Sequence, residues 1–191
     1  MSERHRLVNV GETLPHRSLA TIHGQTVNLP DPERLVHLQF RRFAGCPICN
    51  THLRSVVQRH QEIEAAGVRE VVVFHSTVEA MLPYQGELPF AAIADPDKRL
   101  YAEFGVRESV TAVTSARAVG ASMRGIATSI RTGGLRGATG AGENHLGLPA
   151  DFLIDTHGAI LALKYGTHAY DQWTVDEILD LARATTGSST D

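Results

Sequence analysis

The segment Phe40-Arg41-Arg42-Phe43-Ala44-Gly45-Cys46-Pro47-Ile48-Cys49 decides how the rest of the sequence is interpreted. The residues that lead into it, Arg34–Phe40, alternate between apolar and polar side chains, which predicts a strand. After it, residues recur at helical spacing on one face: Cys49, Leu53, Val56, Val57, His60 and Ile63. The segment therefore predicts a strand that turns tightly at Gly45 into a helix beginning with Pro47.

The two cysteines lie at the start of this predicted helix. Cys46 takes the N-cap position, where free N–H groups and the positive end of the helix dipole favour a thiolate. Arg41 and Arg42 add positive potential if either side chain turns toward the sulfur. Cys49 follows one turn later, on the same side. We expect Cys46 near the surface as the nucleophile and Cys49 deeper and less ionised; a pair sealed from solvent or pointing apart would contradict this hypothesis.

Other roles for a Cys-x-x-Cys pair compete with this redox hypothesis. Two structural cysteines at a helix start remain an alternative. A zinc site requires further ligands at paired spacing, and the sequence contains no His-x3-5-His pair to complete it. A c-type haem site requires His directly after the second cysteine, where Asn50 stands. Zinc therefore stays the weaker alternative, and the sequence indicates no cofactor.

Composition excludes several function classes. The chain has 18 basic and 21 acidic residues and a formal net charge of −3, which gives no field to attract nucleic acid or an anionic membrane. Apolar runs such as Val71–Phe74 are far too short to cross a membrane. The N-terminus lacks the apolar core of a secretory signal. We therefore expect a cytoplasmic protein, in which two closely spaced cysteines indicate redox or metal chemistry.

The remaining pattern predicts one α/β domain spanning residues 1–191. Its central sheet is mixed, with helices on both faces, because strand–helix alternation comes first and a hairpin last. Residues 107–147 form an inserted helix and glycine-rich loop, and residues 185–191 form a frayed tail. The predicted strands are Ser18–Leu29 (a hairpin), Arg34–Phe40, Glu70–Phe74, Phe90–Ala94, Asp151–Asp155 and Ala159–Tyr165. The predicted helices are Cys46–Gly67, Thr77–Gln85, Pro96–Phe104, 115–131 and Thr174–Ala184.

Three sequence motifs, in this order, resemble those of a known superfamily. They are Val10-Gly11-Glu12-Thr13-Leu14-Pro15, Arg41-Arg42-x-x-Gly45-Cys46-x-x-Cys49, and the stretch from Gly147-Leu148-Pro149 to Asp155 with Gly158. The chain resembles the thioredoxin-like superfamily and, within it, the AhpC/TSA branch of peroxiredoxin-like proteins. The Cys-x-x-Cys motif is similar to that of the peroxiredoxin-like 2 subgroup.

This resemblance implies a thioredoxin-like fold and a thiol-dependent antioxidant oxidoreductase that reduces peroxides or disulfides. Cys46 matches the attacking cysteine and Cys49 the second thiol. Pro149 matches the cis-proline that faces the cysteine pair in such folds. An external thiol reductant would restore the dithiol. Phe43 stands where typical members carry a hydroxyl residue, which motivates an alternative function.

The alternative is a redox-inert binding module that uses the Pro149 face and the 115–131 helix to hold a partner protein. A homodimer is the expected assembly if the chain associates with itself. His75 follows the central strand, at the sheet edge where sites form in such folds. It is predicted either to tune the Cys46 thiolate or simply to cap the strand end.

Overall fold

The computed structural model describes residues 6–106 and 147–187. The predicted 115–131 helix and glycine-rich loop lie outside these ranges, as does most of the 107–147 insertion. The strands are β1 (Arg17–Ala20), β2 (Thr26–Leu29), β3 (Leu35–Phe40), β4 (Val68–Phe74), β5 (Ala91–Ala94), β6 (Ala150–Ile154) and β7 (Ile160–Tyr165). The helices are α1 (Pro47–Gln58), α2 (His60–Ala65), α3 (Val78–Gln85), α4 (Arg99–Glu103) and α5 (Val175–Gly187).

A five-stranded sheet organises the described part of the chain, in the order β5-β4-β3-β6-β7. Strand β3 lies at its centre, parallel to β4 and antiparallel to β6, while β5 runs parallel to β4. The hairpin β1–β2 forms a separate two-stranded sheet. The predicted mixed sheet, the N-terminal hairpin and the terminal β6–β7 hairpin are therefore confirmed.

Helices cover both faces of this sheet, as predicted. On one face the ring of Phe40 packs against Tyr101 of α4 and against Phe104 and Phe152, at centroid distances of 5.0 to 5.7 Å. On the other face α1 and α3 pack against β4 and β5 around the cysteines, and α2 and α5 pack around Val68 and Leu153. Because helices pack on both faces, the side chains of Val36–Phe40 on both faces of β3 are buried.

Several predicted helix bounds shift, each for a local reason. The helix after Cys46 divides at Arg59, whose backbone (φ −115°, ψ 18°) leaves the helical region. Val57, predicted on the buried face, is exposed, while its neighbour Val56 is buried. Helix α4 begins at Arg99 rather than at Pro96, because Lys98 takes a left-handed conformation and the Asp95 carboxylate accepts the next backbone N–H groups. Helix α5 extends to Gly187, into the segment predicted as a tail.

Pro149 does not have the predicted cis bond. In the described ranges the cis peptide bond is Leu29–Pro30, and the bond before Pro149 is trans. The carbonyl of Pro149 accepts the Gly166 N–H at 2.9 Å, which continues the β6–β7 pairing by one residue. Pro149 therefore extends the strand rather than forming a turn against the cysteines.

Candidate active site

Strand β3 and helix α1 place the two cysteines as the sequence predicts, at the end of the central strand. Pro47 is the first residue of α1 and Cys46 is its N-cap, with extended backbone (φ −61°, ψ 112°). The turn through Gly45 is closed by the Cys46 N–H, which donates to the Phe43 carbonyl at 3.0 Å. Cys46 and Cys49 therefore share one side of the helix start.

Both thiols are buried, so the expectation that Cys46 lies near the surface is wrong. Cys46 is 0% exposed and Cys49 is 1% exposed, which is one of the two outcomes named above as contradicting the redox hypothesis. The other outcome does not occur, because the two sulfurs face each other. The preceding loop packs inward because its backbone is bound by neighbouring side chains: the Ala44 N–H donates to the Ser76 hydroxyl at 2.9 Å, and the Ala44 carbonyl accepts from Asn50 and Gln85, at 3.1 and 3.0 Å. Even a small substrate therefore reaches the sulfurs only when this loop moves.

Three donors converge on the sulfur of Cys46. Its Sγ accepts from the Cys49 backbone N–H at 3.3 Å, from Arg42 Nη2 at 3.2 Å and from Cys49 Sγ at 2.6 Å. The cysteines are free thiols. The separation of 2.6 Å exceeds the roughly 2.05 Å of a disulfide bond, so the pair is a dithiol with its sulfurs in contact.

One of the two thiols is ionised at neutral pH. Burial opposes charge on Cys49, but the hydrogen bond with Cys46 and the charges of Arg42 and Arg41 lower the pKa of Cys49 to about 6. Burial, together with the hydrogen bond and charge of Cys49, raises the pKa of Cys46 against the effect of Arg42. These directions reverse the expectation that Cys49 is the less ionised thiol. Because the Cys49 thiol is hydrogen-bonded to Cys46 Sγ, ionising one sulfur disfavours ionising the other, and the pair holds one negative charge at neutral pH.

The two arginines of the motif have different surroundings. Arg42 is buried beside the sulfurs, donates to Cys46 and lies 5.6 Å from the ring of Phe43. Arg41 is fully buried and donates instead to Asp151 Oδ1 at 2.8 Å and to Gln39 Oε1 at 2.6 Å. Arg42 therefore contacts a thiol directly, whereas Arg41 influences the pair through its charge.

His75 lies at the edge of the site. Its ring stacks edge-on against Tyr101, with centroids 5.6 Å apart. Gly147 sits between His75 and Arg42, since a Cβ at that position would lie 3.2 Å from His75 Nε2 and 3.5 Å from Arg42 Cγ. The structure thus brings His75 close to the arginine that contacts Cys46. Pro149 lines a different, apolar cavity with Leu148 and Tyr165.

A buried polar network on β3 was not anticipated from the sequence. His37, Gln39 and Arg41 point to the same face of β3 and meet Glu70 of β4 and Asp151 of β6, all at most 1% exposed. The sequence does contain a signal: polar residues at alternate positions of a central strand have no access to water, so they require buried partners.

Other structural features bear on the alternatives. No group of three or more His, Cys, Asp or Glu side chains in residues 6–106 and 147–187 is arranged to hold a metal ion. Within the same ranges, no helix combines the length and the apolar character that crossing a membrane requires.

Comparisons with known proteins identify the family and the fold. Residues 10–163 match the sequence profile of the AhpC/TSA family. Peroxidoxin BcpB from Mycobacterium tuberculosis is 17% identical with a TM-score of 0.66, and the match covers 92% of this chain and 96% of that one. A cysteine-to-serine mutant of the peroxiredoxin 6 of Arenicola marina is 15% identical with a TM-score of 0.70, covering 96% and 76%.

A third similar structure is the reduced 2-Cys peroxiredoxin of Plasmodium vivax. It is 14% identical with a TM-score of 0.64, and the match covers 93% of this chain and 82% of that one. No curated protein matches the chain. At these identities the three structures establish a shared fold.

Proposed function

The chain belongs to the AhpC/TSA family, a family of thiol-dependent oxidoreductases, and from that premise we propose that Cys46 and Cys49 are its dithiol–disulfide couple. The observation that carries this proposal is the convergence of the Arg42 guanidinium, a helix N-terminal N–H and the Cys49 thiol on Cys46 Sγ. All three stabilise negative charge on that sulfur. We assign the attack to Cys46 on this ground, because the Cys49 thiol is its hydrogen-bond partner and is placed to exchange a proton with it.

The reaction then runs in two balanced steps. The Cys46 thiolate attacks one peroxide oxygen, the O–O bond breaks, and the leaving oxygen takes up a proton to give an alcohol or water. The Cys49 thiol next attacks the sulfenic acid, the S–O bond breaks and the S–S bond forms, and water leaves. Two electrons pass from the sulfurs to the peroxide. Arg42 stays next to the sulfur and to the developing oxyanion throughout.

The burial of the thiols favours a small peroxide over a protein disulfide as the oxidant. A disulfide sulfur must come into line with the attacking thiolate, which requires the nucleophile to be accessible to a second polypeptide chain. Cys46 is 0% exposed, so the loop at Ala44 must move for either oxidant, but hydrogen peroxide needs a much smaller opening than a second polypeptide chain. An external thiol in a reducing, cytoplasmic compartment would then restore the dithiol, and a homodimer stays the expected assembly.

The test is a thiol titration of the reduced protein before and after one equivalent of hydrogen peroxide. We expect two thiols to be lost together and recovered with a dithiol reductant. Cys46→Ser is expected to abolish the reaction, and Cys49→Ser is expected to stop at the sulfenic acid, which a dimedone adduct detects. Ile48→Val, a conservative change between the cysteines, serves as the control and keeps the reaction.

Two results would overturn the proposal. If the thiol titre of the wild-type protein does not change with peroxide, no redox couple operates, and partner binding that survives in the double serine variant would favour a redox-inert module. If Cys49→Ser loses its peroxide reaction and Cys46→Ser keeps it, the roles of the two cysteines are reversed.

A further inference from the structure

The buried network on β3 contains a histidine that the proposed chemistry has not yet used. His37 Nδ1 lies 2.8 Å from Glu70 Oε2, and His37 Nε2 lies 3.2 Å from Asp151 Oδ1. Ionised carboxylates only accept hydrogen bonds, so both ring nitrogens must donate. The geometry therefore requires a protonated imidazolium, held between two carboxylates in the centre of the sheet.

Every group that faces His37 belongs to this network or packs against it. From β4 comes Glu70, which also accepts from Gln39, and from β6 comes Asp151, which also accepts from Arg41. From α1 comes His52, whose Nε2 donates to the Trp173 carbonyl at 2.8 Å. Burial, followed by the charge of Arg41, lowers the pKa of His52 to about 3, so His52 is neutral. The ring of Trp173 covers His37 at 5.5 Å.

The charges of the network and of the thiol pair form one buried set. The cations are Arg41, Arg42 and His37, and the anions are Glu70, Asp151 and a single thiolate. Three positive and three negative charges balance while the pair is a dithiol with one sulfur ionised. Disulfide formation removes the thiolate and leaves one positive charge in excess. An uncompensated buried charge is unfavourable, so disulfide formation favours the loss of a proton from this set.

Arg41 connects the two halves of the set. It binds Asp151, which binds His37, and its charge also favours ionisation at Cys49. Arginine does not release its proton in proteins, and Asp151 is held ionised by Arg41 and His37 despite its burial. Of the three cations, His37 is therefore the one that can lose its proton, with a pKa of about 9 in the reduced protein.

A groove lies beside the network. Glu70, which accepts from His37, borders a groove of about 380 Å³ together with His60, Arg69 and Phe90, at the end of β4 away from the cysteines. The Glu70 side chain itself is fully buried, so the groove does not open directly onto the His37–Glu70 pair.

From these observations we propose that His37 is a redox-linked proton site: it holds its proton more tightly while one buried sulfur is a thiolate than after the disulfide has formed, so that disulfide formation releases a fraction of a proton. The proposal rests on the dithiol–disulfide couple proposed above, and the proton balance closes with it. For each proton released, the thiolate–thiol pair, a peroxide and the His37 imidazolium give a disulfide, an alcohol, water and neutral His37. That proton equals the one that the leaving oxygen takes up.

The direct test follows the side chain of His37 by NMR in isotope-labelled wild-type protein. The imidazole is titrated in the dithiol form and in the disulfide form, which is made with diamide so that the measurement does not depend on peroxide. We expect the pKa of His37 to fall by roughly one unit, about tenfold in proton affinity, on disulfide formation. A unit charge removed at about 10–15 Å has this effect at an effective dielectric constant of about 20.

Two controls separate this effect from others. His157, in the exposed turn before β7, should give the same NMR signals in both forms. The double variant Cys46→Ser/Cys49→Ser lacks the thiolate without forming a disulfide, so its His37 should titrate as in the disulfide form.

An unchanged His37 titration between the two wild-type forms would overturn the inference while leaving the couple intact. A double serine variant in which His37 titrates as in the reduced wild type would also overturn it, because the thiolate charge would then have no influence. Failure to form any Cys46–Cys49 disulfide with either diamide or hydrogen peroxide would overturn the proposed couple itself, and this inference with it.

Discussion

The thiol pair and the ionic network are adjacent buried polar regions on one strand and the turn that follows it, yet they are built differently. In the network each cation meets a carboxylate: Arg41 binds Asp151, and His37 lies between Asp151 and Glu70. At the thiols the cation Arg42 meets a sulfur. The comparison teaches that burial alone does not make a group inert. A buried cation paired with a carboxylate keeps its partner, whereas a buried cation paired with a thiolate loses its partner when the sulfur is oxidised.

The largest expected effect on stability comes from breaking the network rather than from changing the thiols. Asp151→Ala leaves both Arg41 and His37 without a shared carboxylate, and removing one partner of a buried ion pair costs about 3–5 kcal/mol. We expect a loss of this size in the free energy of unfolding, measured with denaturant. Asp180→Ala is the control, because its pair with Arg183 is exposed on α5 and contributes at most about 1 kcal/mol. Equal losses from the two variants would show that the network does not stabilise the fold.

The pH dependence of stability distinguishes the two regions, because one loses stabilisation as pH rises and the other loses it as pH falls. The two carboxylates hold the pKa of His37 at about 9 despite its burial, so its stabilisation is complete below its ordinary value of 6.5 and is lost as pH rises through 9. The pKa of Cys49 is lowered from 9.0 to about 6 against its burial, so its stabilisation is present above 9 and lost as pH falls through 6. Between pH 6.5 and 9 the two slopes oppose each other in the reduced protein.

Removing the thiols should therefore reveal how the network alone makes the free energy of unfolding depend on pH. We expect Cys46→Ser/Cys49→Ser to lose stability as pH rises across this range, by up to roughly 1.4 kcal/mol per pH unit. The reduced wild type should stay nearly flat. The measurement is the free energy of unfolding at a series of pH values, and a double variant as flat as the wild type would contradict the assigned charges.

A smaller effect is expected when the charge beside the sulfur is removed. Arg42→Met keeps an apolar stem of similar size but loses the charged hydrogen bond to Cys46, which is worth about 1.5–3 kcal/mol. We expect the thiol pKa to rise, and the rate of peroxide reduction at neutral pH to fall by roughly 10–100-fold. Thiolate absorbance and peroxide consumption measure the two quantities. Arg54→Met, on the exposed side of α1, should leave both unchanged.

The smallest effect tests the edge of the thiol region. Gly147→Ala places a methyl group 3.2 Å from His75 Nε2 and 3.5 Å from Arg42 Cγ, so these side chains must shift slightly. We expect a cost of roughly 1 kcal/mol in stability and a few-fold change in the peroxide rate, with the His37 titration unaltered. An unchanged rate would show that His75 and Gly147 do not help to hold Arg42.

Much of this arrangement could be predicted from the sequence, because local signals determine it. The Gly45–Pro47 turn, the position of Cys46 at the N-cap and the parallel strands all follow from spacing and residue type. Burial of the sulfurs could not be predicted, since it depends on Ser76 and Gln85, which are distant in sequence and bind the loop at Ala44. Likewise His37 and Glu70 meet only because the register of β3 and β4 aligns them. The trans bond at Pro149 could not be predicted either. The Pro149 carbonyl accepts a hydrogen bond from Gly166, just after β7, and no sequence motif specifies that pairing.

The central claim is that two buried sulfurs form a working redox couple, and intact mass spectrometry tests it most directly. The reduced wild-type protein is treated with one equivalent of hydrogen peroxide, quenched and weighed without further reagents. The account predicts a loss of the mass of two hydrogen atoms, with a peptide cross-link that joins Cys46 to Cys49. An unchanged mass, or an added oxygen on one cysteine beside a free second thiol, would contradict it.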